Sequence, residues 1–235
     1  MTAHTPSERF DRNVNRRSAS MLKQRVLDQQ RAEFSAALSR AAASDAVEHA
    51  AAAIVSARRR FVLGTGKSTA YAGLLAADLS AGLSGVTLLD GAAGRSLDML
   101  TDIRAGDVLI AVSLERYRIE TVSLARAYVA RGGELVLVTD APDAPLADIA
   151  TERIVVGAAS ASHANSPTSV ALMLHLVASL AIASSKGAGR RLRDRDALAS
   201  DLGLYVSSAS DGAPEGATDA GAHARTGSAA LGARS

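Results

Sequence analysis

The chain of 235 residues contains no cysteine and no tryptophan. Without cysteine there is neither a disulfide framework nor a thiolate metal site, which fits a reducing compartment. Three Phe and four Tyr bring aromatics to only 3%, so the core has to be built from Ala, Val, Leu and Ile. Side chains of that size suit helices packed closely on a sheet. Also missing is any apolar segment of membrane length. The longest stretch free of Lys, Arg, Asp and Glu runs from Ile154 to Ser185, but its dense apolar part is about 14 residues against the roughly 20 a span requires. It reads as a buried core or interface helix. Met1 to Asn15 is polar and charged and has none of the apolar character of a signal peptide. A soluble, cytoplasmic, single-domain protein with tails is the expectation, with no membrane association.

Net charge is +2, but residues 1–60 carry 11 Lys/Arg against 6 Asp/Glu, and the remainder 15 against 18. The basic N-terminal arm is read as a solvated helix face with arginine-rich ends rather than as a nucleic-acid contact.

Residues 1–17 read as a flexible lead. From 18 to 59 the spacing of Met21, Leu22, Val26, Leu27, Phe34 and Leu38, then of Val47, Ala50, Ala51, Ile54 and Val55, predicts a helical arm in two pieces. Ser44 or Asp45 is placed to cap the second piece, with Glu48 completing a capping-box-like start. Between 60 and 205 the texture changes to strand–loop–helix units. Short apolar strands are expected at Arg60–Gly64, Gly85–Asp90, Asp107–Ser113, Glu134–Asp140 and Arg153–Gly157. Helices are expected at Ser68–Leu83, Leu97–Ile103, Glu120–Arg131, Ser166–Ser185 and Arg190–Leu204, with a short helical turn at Pro145–Ala150. Asn165 or Ser166 would cap the long apolar helix, with Pro167 in its first turn. Fully apolar strands alternating with helices predict a three-layer α/β fold with a five-stranded parallel sheet. Residues 206–235, rich in Ala, Gly, Ser and Thr, read as a disordered tail. Ligands of such sheets bind outside the carboxyl ends of the strands.

Two strand-end loops therefore matter most. In Gly64-Thr65-Gly66-Lys67-Ser68-Thr69, Gly66-Lys67-Ser68 looks like the end of a nucleotide-binding P-loop. The glycine that pattern needs earlier falls on Phe61 inside a strand, so the loop is too short to wrap a triphosphate. The dinucleotide fingerprint fails because its third glycine would fall on Thr69, although Asp90 does end the second strand. A tight glycine turn opening a helix remains, either an anion cradle with Ser68 adding a hydroxyl or a plain strand-to-helix turn. In the second loop, Ser113 to Thr121, Ser113 closes a strand and Thr121 sits in the first turn of a helix. Arg116 and Arg118 either contact an anion or pair with Glu115 and Glu120 at the surface.

Taken in order, G-x-G-x-S at Gly64, Gly66 and Ser68, DVLIAVS at 107–113, and R-Y-x-x-x-T at Arg116, Tyr117 and Thr121 resemble the SIS (sugar isomerase) domain. L-A-R-A at Leu124–Ala127, Thr139-Asp140 with Pro145-Leu146, and Asn165-Ser166 continue the likeness, which runs from about Met21 to Leu204. Within that superfamily the chain is most like the sensor half of RpiR/MurR bacterial transcription regulators. The resemblance implies a flavodoxin-like five-stranded sheet, a homodimer or higher oligomer, and a site for a phosphorylated sugar or related metabolite. The ligand-binding residues would be Gly64, Thr65, Gly66, Lys67, Ser68, Ser113, Arg116, Tyr117 and Thr121. No cofactor is expected, and no metal, since no His, Asp and Glu cluster has metal-ligand spacing. Such regulators carry an N-terminal helix-turn-helix; the 59 residues ahead of the first strand resemble linker helices instead, and DNA binding by this chain is not expected. Where the regulators often have R-Y-S-R-x-T, this chain has Arg118 and Ile119, and Ala141 and Ala144 stand where serines are common.

SIS domains also occur in aldose–ketose isomerases, whose proton transfer needs a base near the sugar. Glu115 and His163 are the candidates for it; Glu120 suits the helix N-terminus, and His175, among leucines, a core or interface. Three readings stand: a sugar-responsive sensor domain, a phosphosugar isomerase, and a dimeric partner-binding module without ligand.

Overall fold

The computed structural model describes residues 5–14, 18–89 and 93–206. Contacts group into two units, Met1–Ala197 and Leu198–Ser235. In the first, helices α1 (Pro6–Asn13), α2 (Ala19–Ala42) and α3 (Ala46–Ser56) precede strand β1 (Arg59–Leu63). There follow α4 (Ser68–Gly82), β2 (Val86–Leu89), α5 (Ala93–Thr101), β3 (Asp107–Ser113), α6 (Ile119–Val129), β4 (Glu134–Thr139), β5 (Glu152–Val155) and α7 (Thr168–Ser184). Helix α8 (Ala188–Asp201) runs on into the second unit, where the Leu204 N–H closes back on the Ala199 carbonyl at 3.0 Å.

The five strands are parallel in the order β2-β1-β3-β4-β5. β3 is central, with Ile110 level with Val62 of β1 and Val136 of β4. Its side chains alternate between two buried layers. Val108, Ile110 and Val112 meet α3, α4 and α7 on one face. Leu109 and Ala111 meet Ala125 and Tyr128 of α6 on the other. All seven residues of β3 are buried. The three-layer α/β architecture expected from the apolar strands is the one observed.

Some local expectations are corrected. Residues 6–13, expected to belong to a flexible lead, are helical. The Thr5 hydroxyl accepts the Glu8 N–H at 3.2 Å while the Glu8 carboxylate accepts the Thr5 N–H at 2.8 Å, a reciprocal capping box with Pro6 in the first turn. Asp45 holds the cap position of α3 without a side-chain bond, and the Ser44 hydroxyl accepts the Ala46 N–H instead at 3.3 Å. Pro145–Ala150 forms successive turns, Ala147 to Ala144 and Ile149 to Leu146, rather than a helix. Pro167 holds the cap position of α7, and the Ser166 hydroxyl accepts the Thr168 N–H at 3.3 Å. Asp90 and residues 207–235 lie outside the described residues.

The amino ends of the strands carry a charge cluster. Asp107 opens β3 with no solvent exposure. Its carboxylate accepts from Arg59 at 2.6 Å, from Arg58 at 3.1 Å and from the Arg104 N–H at 2.9 Å. Burial alone would raise its pKa, but the Arg59 hydrogen bonds, the Arg104 N–H and the two arginine charges outweigh it and hold the carboxyl below the usual range. Beside it the buried Arg60 donates to the carbonyls of Ile54, Val55 and Ser84, closing the last turn of α3.

Because the folded pKa of Asp107 lies below its unfolded value of about 3.9, its stabilisation is present above that value and is lost as pH falls through the folded pKa. Asp107→Asn is expected to cost about 2–3 kcal/mol at neutral pH. Urea unfolding at pH 7 and in steps below pH 5 checks this: the gap between wild type and variant should narrow as the solution is acidified.

Candidate functional site

The site is built by three loops at the carboxyl ends of the strands. The first follows β1. An added Cβ on Gly64 would lie 2.3 Å from the Ser68 carbonyl oxygen and 3.1 Å from the Ala72 Cβ. Only glycine lets the chain double back so closely into α4. Gly66 takes a left-handed φ of 62°, and the Thr69 hydroxyl donates to the Gly64 carbonyl at 3.0 Å. The N–H groups of Thr69 and Ala70 are already engaged by the carbonyls of Gly66 and Lys67, each at 3.2 Å. Anion attraction at this turn therefore falls largely to Lys67, to the hydroxyls of Thr65 and Ser68, and to the α4 dipole.

The second loop joins β3 to α6. Asp140, at the end of β4, ties it down by accepting from the Glu115 N–H at 2.8 Å and from the Tyr117 hydroxyl at 3.0 Å. Burial and then the Asp140 charge push the Tyr117 hydroxyl well above its ordinary pKa. Between these anchors Arg116 adopts φ 67°, and it is the one non-glycine residue with positive φ among those described. Arg118 pairs with Glu120 at 2.9 Å.

The third loop returns from β5 to α7 and brings Asn165 to the first. Lys67 donates its ammonium to the Asn165 backbone carbonyl, and Arg9 of α1 donates to the Asn165 side-chain oxygen. Partial burial, with the neighbouring Arg9 charge, depresses the Lys67 pKa.

These loops enclose a cavity of about 330 Å³. Thr65, Gly66, Lys67 and Ser68 form one wall, and Leu114, Glu115, Arg116 and Arg118 another. Ala164, Asn165, Pro6, Arg9 and Tyr71 close the remainder. Seven residues singled out from sequence (Thr65, Gly66, Lys67, Ser68, Glu115, Arg116 and Arg118) thus meet at one cavity. Gly64 is buried in the turn behind it. Thr121 is buried outside the lining, its hydroxyl 2.7 Å from that of Thr65. Ser113 is buried at the end of β3 with no hydrogen-bond partner for its hydroxyl. Tyr117 is turned to Asp140, and neither Tyr117 nor the exposed His163 lines the cavity.

Sequence reasoning missed Arg9, Tyr71 and the lining role of Asn165. Tyr71 sits on α4 at 6% exposure, its hydroxyl buried without a partner, and burial raises its pKa. Nothing in an Ala- and Leu-rich helix marks it. The run Thr5-Pro6-Ser7-Glu8 was a readable helix start, but its seat beside a residue 156 positions away was not.

The left-handed backbone at position 116 costs an L-residue about 1–2 kcal/mol, so Arg116→Gly should raise unfolding stability by up to about 1 kcal/mol after the entropy of glycine is counted. A clear fall in the urea midpoint would show instead that the Arg116 side chain stabilises the loop.

The SIS domain family model matches residues 53–183. A search of curated proteins finds no sequence match. Among solved structures, the sugar isomerase domain of an RpiR transcription factor from Sphaerobacter thermophilus is 27% identical. Its TM-score is 0.68, over 75% of this chain and 98% of that one. The Vibrio vulnificus NanR protein complexed with ManNAc-6P has a TM-score of 0.65 at 15% identity, covering 84% of this chain and 74% of that one. A phosphosugar isomerase, so described, from Bacteroides fragilis has 0.59 at 18% identity, over 74% and 96%. These two share the fold. With its family model spanning β1 to α7 and more than half of its length, the chain belongs to the SIS domain family.

Proposed function

We propose that the chain binds a phosphorylated sugar, or a closely related carbohydrate derivative, and acts as the sensor domain of a sugar-responsive regulator. One observation carries this reading. A cavity at the carboxyl edge of the sheet sets Lys67, Ser68 and Thr65, at the start of α4, opposite Arg116, with the unpartnered Ser113 hydroxyl buried nearby at the end of β3. Cations and hydroxyls on two sides of one space suit a ligand with an anionic end and a hydroxylated body. The RpiR sugar isomerase domain and the NanR protein solved with ManNAc-6P support the choice of ligand class and of a regulator role.

DNA recognition is not proposed for the described residues ahead of β1. α3 belongs to the layer covering the sheet, and α1 lies at the cavity. A cytoplasmic location belongs to the same reading. So does a homodimer, for which α7 is the natural surface. It packs on α2, α3 and α4 within the chain, yet His175 and Ser179 are exposed, and Leu172, Leu176 and Leu180 are only partly covered. A second reading, a phosphosugar isomerase, is favoured by Glu115 lining the cavity, where a carboxylate could act as the base.

A thermal-shift screen against phosphorylated sugars and amino sugars tests the first reading. A ligand at a hundred times its dissociation constant stabilises by about 2.7 kcal/mol. The shift should shrink in Lys67→Ala and Ser68→Ala. If the compound is turned over and Glu115→Gln abolishes turnover while retaining the shift, the isomerase reading replaces the sensor. No shift with any member of the panel would count against both.

Sedimentation equilibrium at micromolar concentration should return the mass of two chains. A monomer there would remove the dimer and the role given to α7.

A further inference from the structure

Helix α1 is not held in place by apolar burial. None of its eight residues is buried, and Phe10 is 45% exposed. A polar tie to the rest of the fold lies at the cavity, where Arg9 donates to the Asn165 side chain. The arrangement there is incomplete. Arg9 and Lys67 are neighbouring cations, and both end on the neutral amide oxygens of a single residue, Asn165. Partial burial and the Arg9 charge push the Lys67 ammonium below its ordinary pKa. The Arg9 Nε is buried and has no partner. So is the hydroxyl of Tyr71, a residue more than nine-tenths buried that lines the same cavity from α4.

Buried polar groups without partners are rare, and two at one cavity, the Arg9 Nε and the Tyr71 hydroxyl, point to a ligand there. What they lack is a negatively charged group with several acceptor oxygens. The cavity keeps its volume of about 330 Å³ with α1 in place, within the range of small-molecule sites. α1 is thus a wall of the cavity rather than a plug in it.

We propose that Arg9 is a ligand-binding residue, and that α1 is a wall of the site which the bound ligand itself secures. An oxyanion takes the Arg9 guanidinium and the Tyr71 hydroxyl as donors beside Lys67, and so holds α1 against the cavity. That the oxyanion belongs to a sugar phosphate rests on the function proposed above; that an oxyanion is bound by Arg9 does not.

The test uses the full chain, with calorimetric titration of a sugar-phosphate panel that includes ManNAc-6P and hydrogen exchange read on the amides of α1. Losing a charge-assisted contact in Arg9→Ala should weaken binding about tenfold to a hundredfold, and losing a neutral one in Tyr71→Phe about threefold to tenfold. Arg12→Ala, an exposed charge on the same helix, should leave affinity unchanged. Ligand should slow exchange across α1 in wild type and not in Arg9→Ala. Equal or tighter binding by Arg9→Ala overturns the proposal and leaves the sugar-phosphate reading standing. If no panel member binds, millimolar inorganic phosphate is the probe. Protection of α1 in wild type but not in Arg9→Ala keeps Arg9 as an oxyanion ligand and discards the sugar phosphate. Absence of that protection discards both.

Discussion

Full burial of β3 is the constraint on which the rest of the molecule depends. A strand covered by helices on both faces can carry polar side chains only at its ends, because any in the middle would be desolvated without a partner. The sequence Asp107-Val-Leu-Ile-Ala-Val-Ser113 obeys this. Its two ends are treated differently. Asp107 is saturated by Arg58, Arg59 and the Arg104 N–H. The hydroxyl of Ser113 is buried and unpartnered. Folding thus saturates the carboxylate at the amino end of β3 and leaves the hydroxyl at its carboxyl end open. The same contrast holds on β1, where Arg60 at the amino end is satisfied by three carbonyls and the carboxyl end runs into the glycine turn at the cavity.

The helices ahead of the sheet share the work of holding that open end. α2 is long yet buries only Ala37, so most of its surface does not serve the core. It clasps the loop between β5 and α7 instead. Gln30 donates to the Ala159 carbonyl at 3.2 Å and accepts from the Ser166 hydroxyl. A Cβ on Gly157 would come within 2.2 Å of the Glu33 carboxylate. This is the loop that presents Asn165 to Lys67 and Arg9. A continuous run of polar contacts thus links α2, through Ser166 and Asn165, to the first wall of the cavity. The N-terminal arm is mechanically part of the site, although it lies outside the α/β alternation that defines the fold.

This arrangement explains which parts were legible in the sequence. β3 was read to the residue, because burial on both faces writes an unbroken apolar run bounded by charge and a hydroxyl, and the other strands, the partly exposed edges β2 and β5 among them, to within one or two at each end. The turn at Gly64–Ser68 was legible because a backbone approach of 2.3 Å admits only glycine. The walls from α1 and from the loop after β5 are held by pairings across 98 and 156 positions, Lys67 and Arg9 each to Asn165, and no local pattern encodes them. Ser113 and Thr121 were picked out as lining hydroxyls. Both lie beneath the surface, and Thr121 reaches the cavity wall only through the hydroxyl of Thr65. Strand-end position identifies the right edge of the sheet, but it cannot say which side of a loop a short side chain faces.

The departure at Arg118 fits the same logic. Where RpiR-type regulators often place a serine, this chain puts an arginine whose aliphatic stem would meet a Cβ on Gly66 at 3.4 Å and whose guanidinium bonds Glu120. Glycine at 66 is called for by its left-handed φ of 62°, and the Arg118 stem lies beside it at ordinary contact distance, so the two loops adjoin there. A hydroxyl lost from the α6 side of the cavity is thereby exchanged for a cation already half satisfied at the rim. Charge in the cavity wall then comes from three separate segments, Arg9 on α1, Lys67 after β1, and Arg116 with Arg118 after β3, with Glu115 the one carboxylate among the lining residues. Lys67, Arg116 and Arg118 are exposed to solvent, which screens their mutual repulsion, while Arg9 is partly buried. Their convergence at one cavity suits the anionic ligand proposed above, which all four could face.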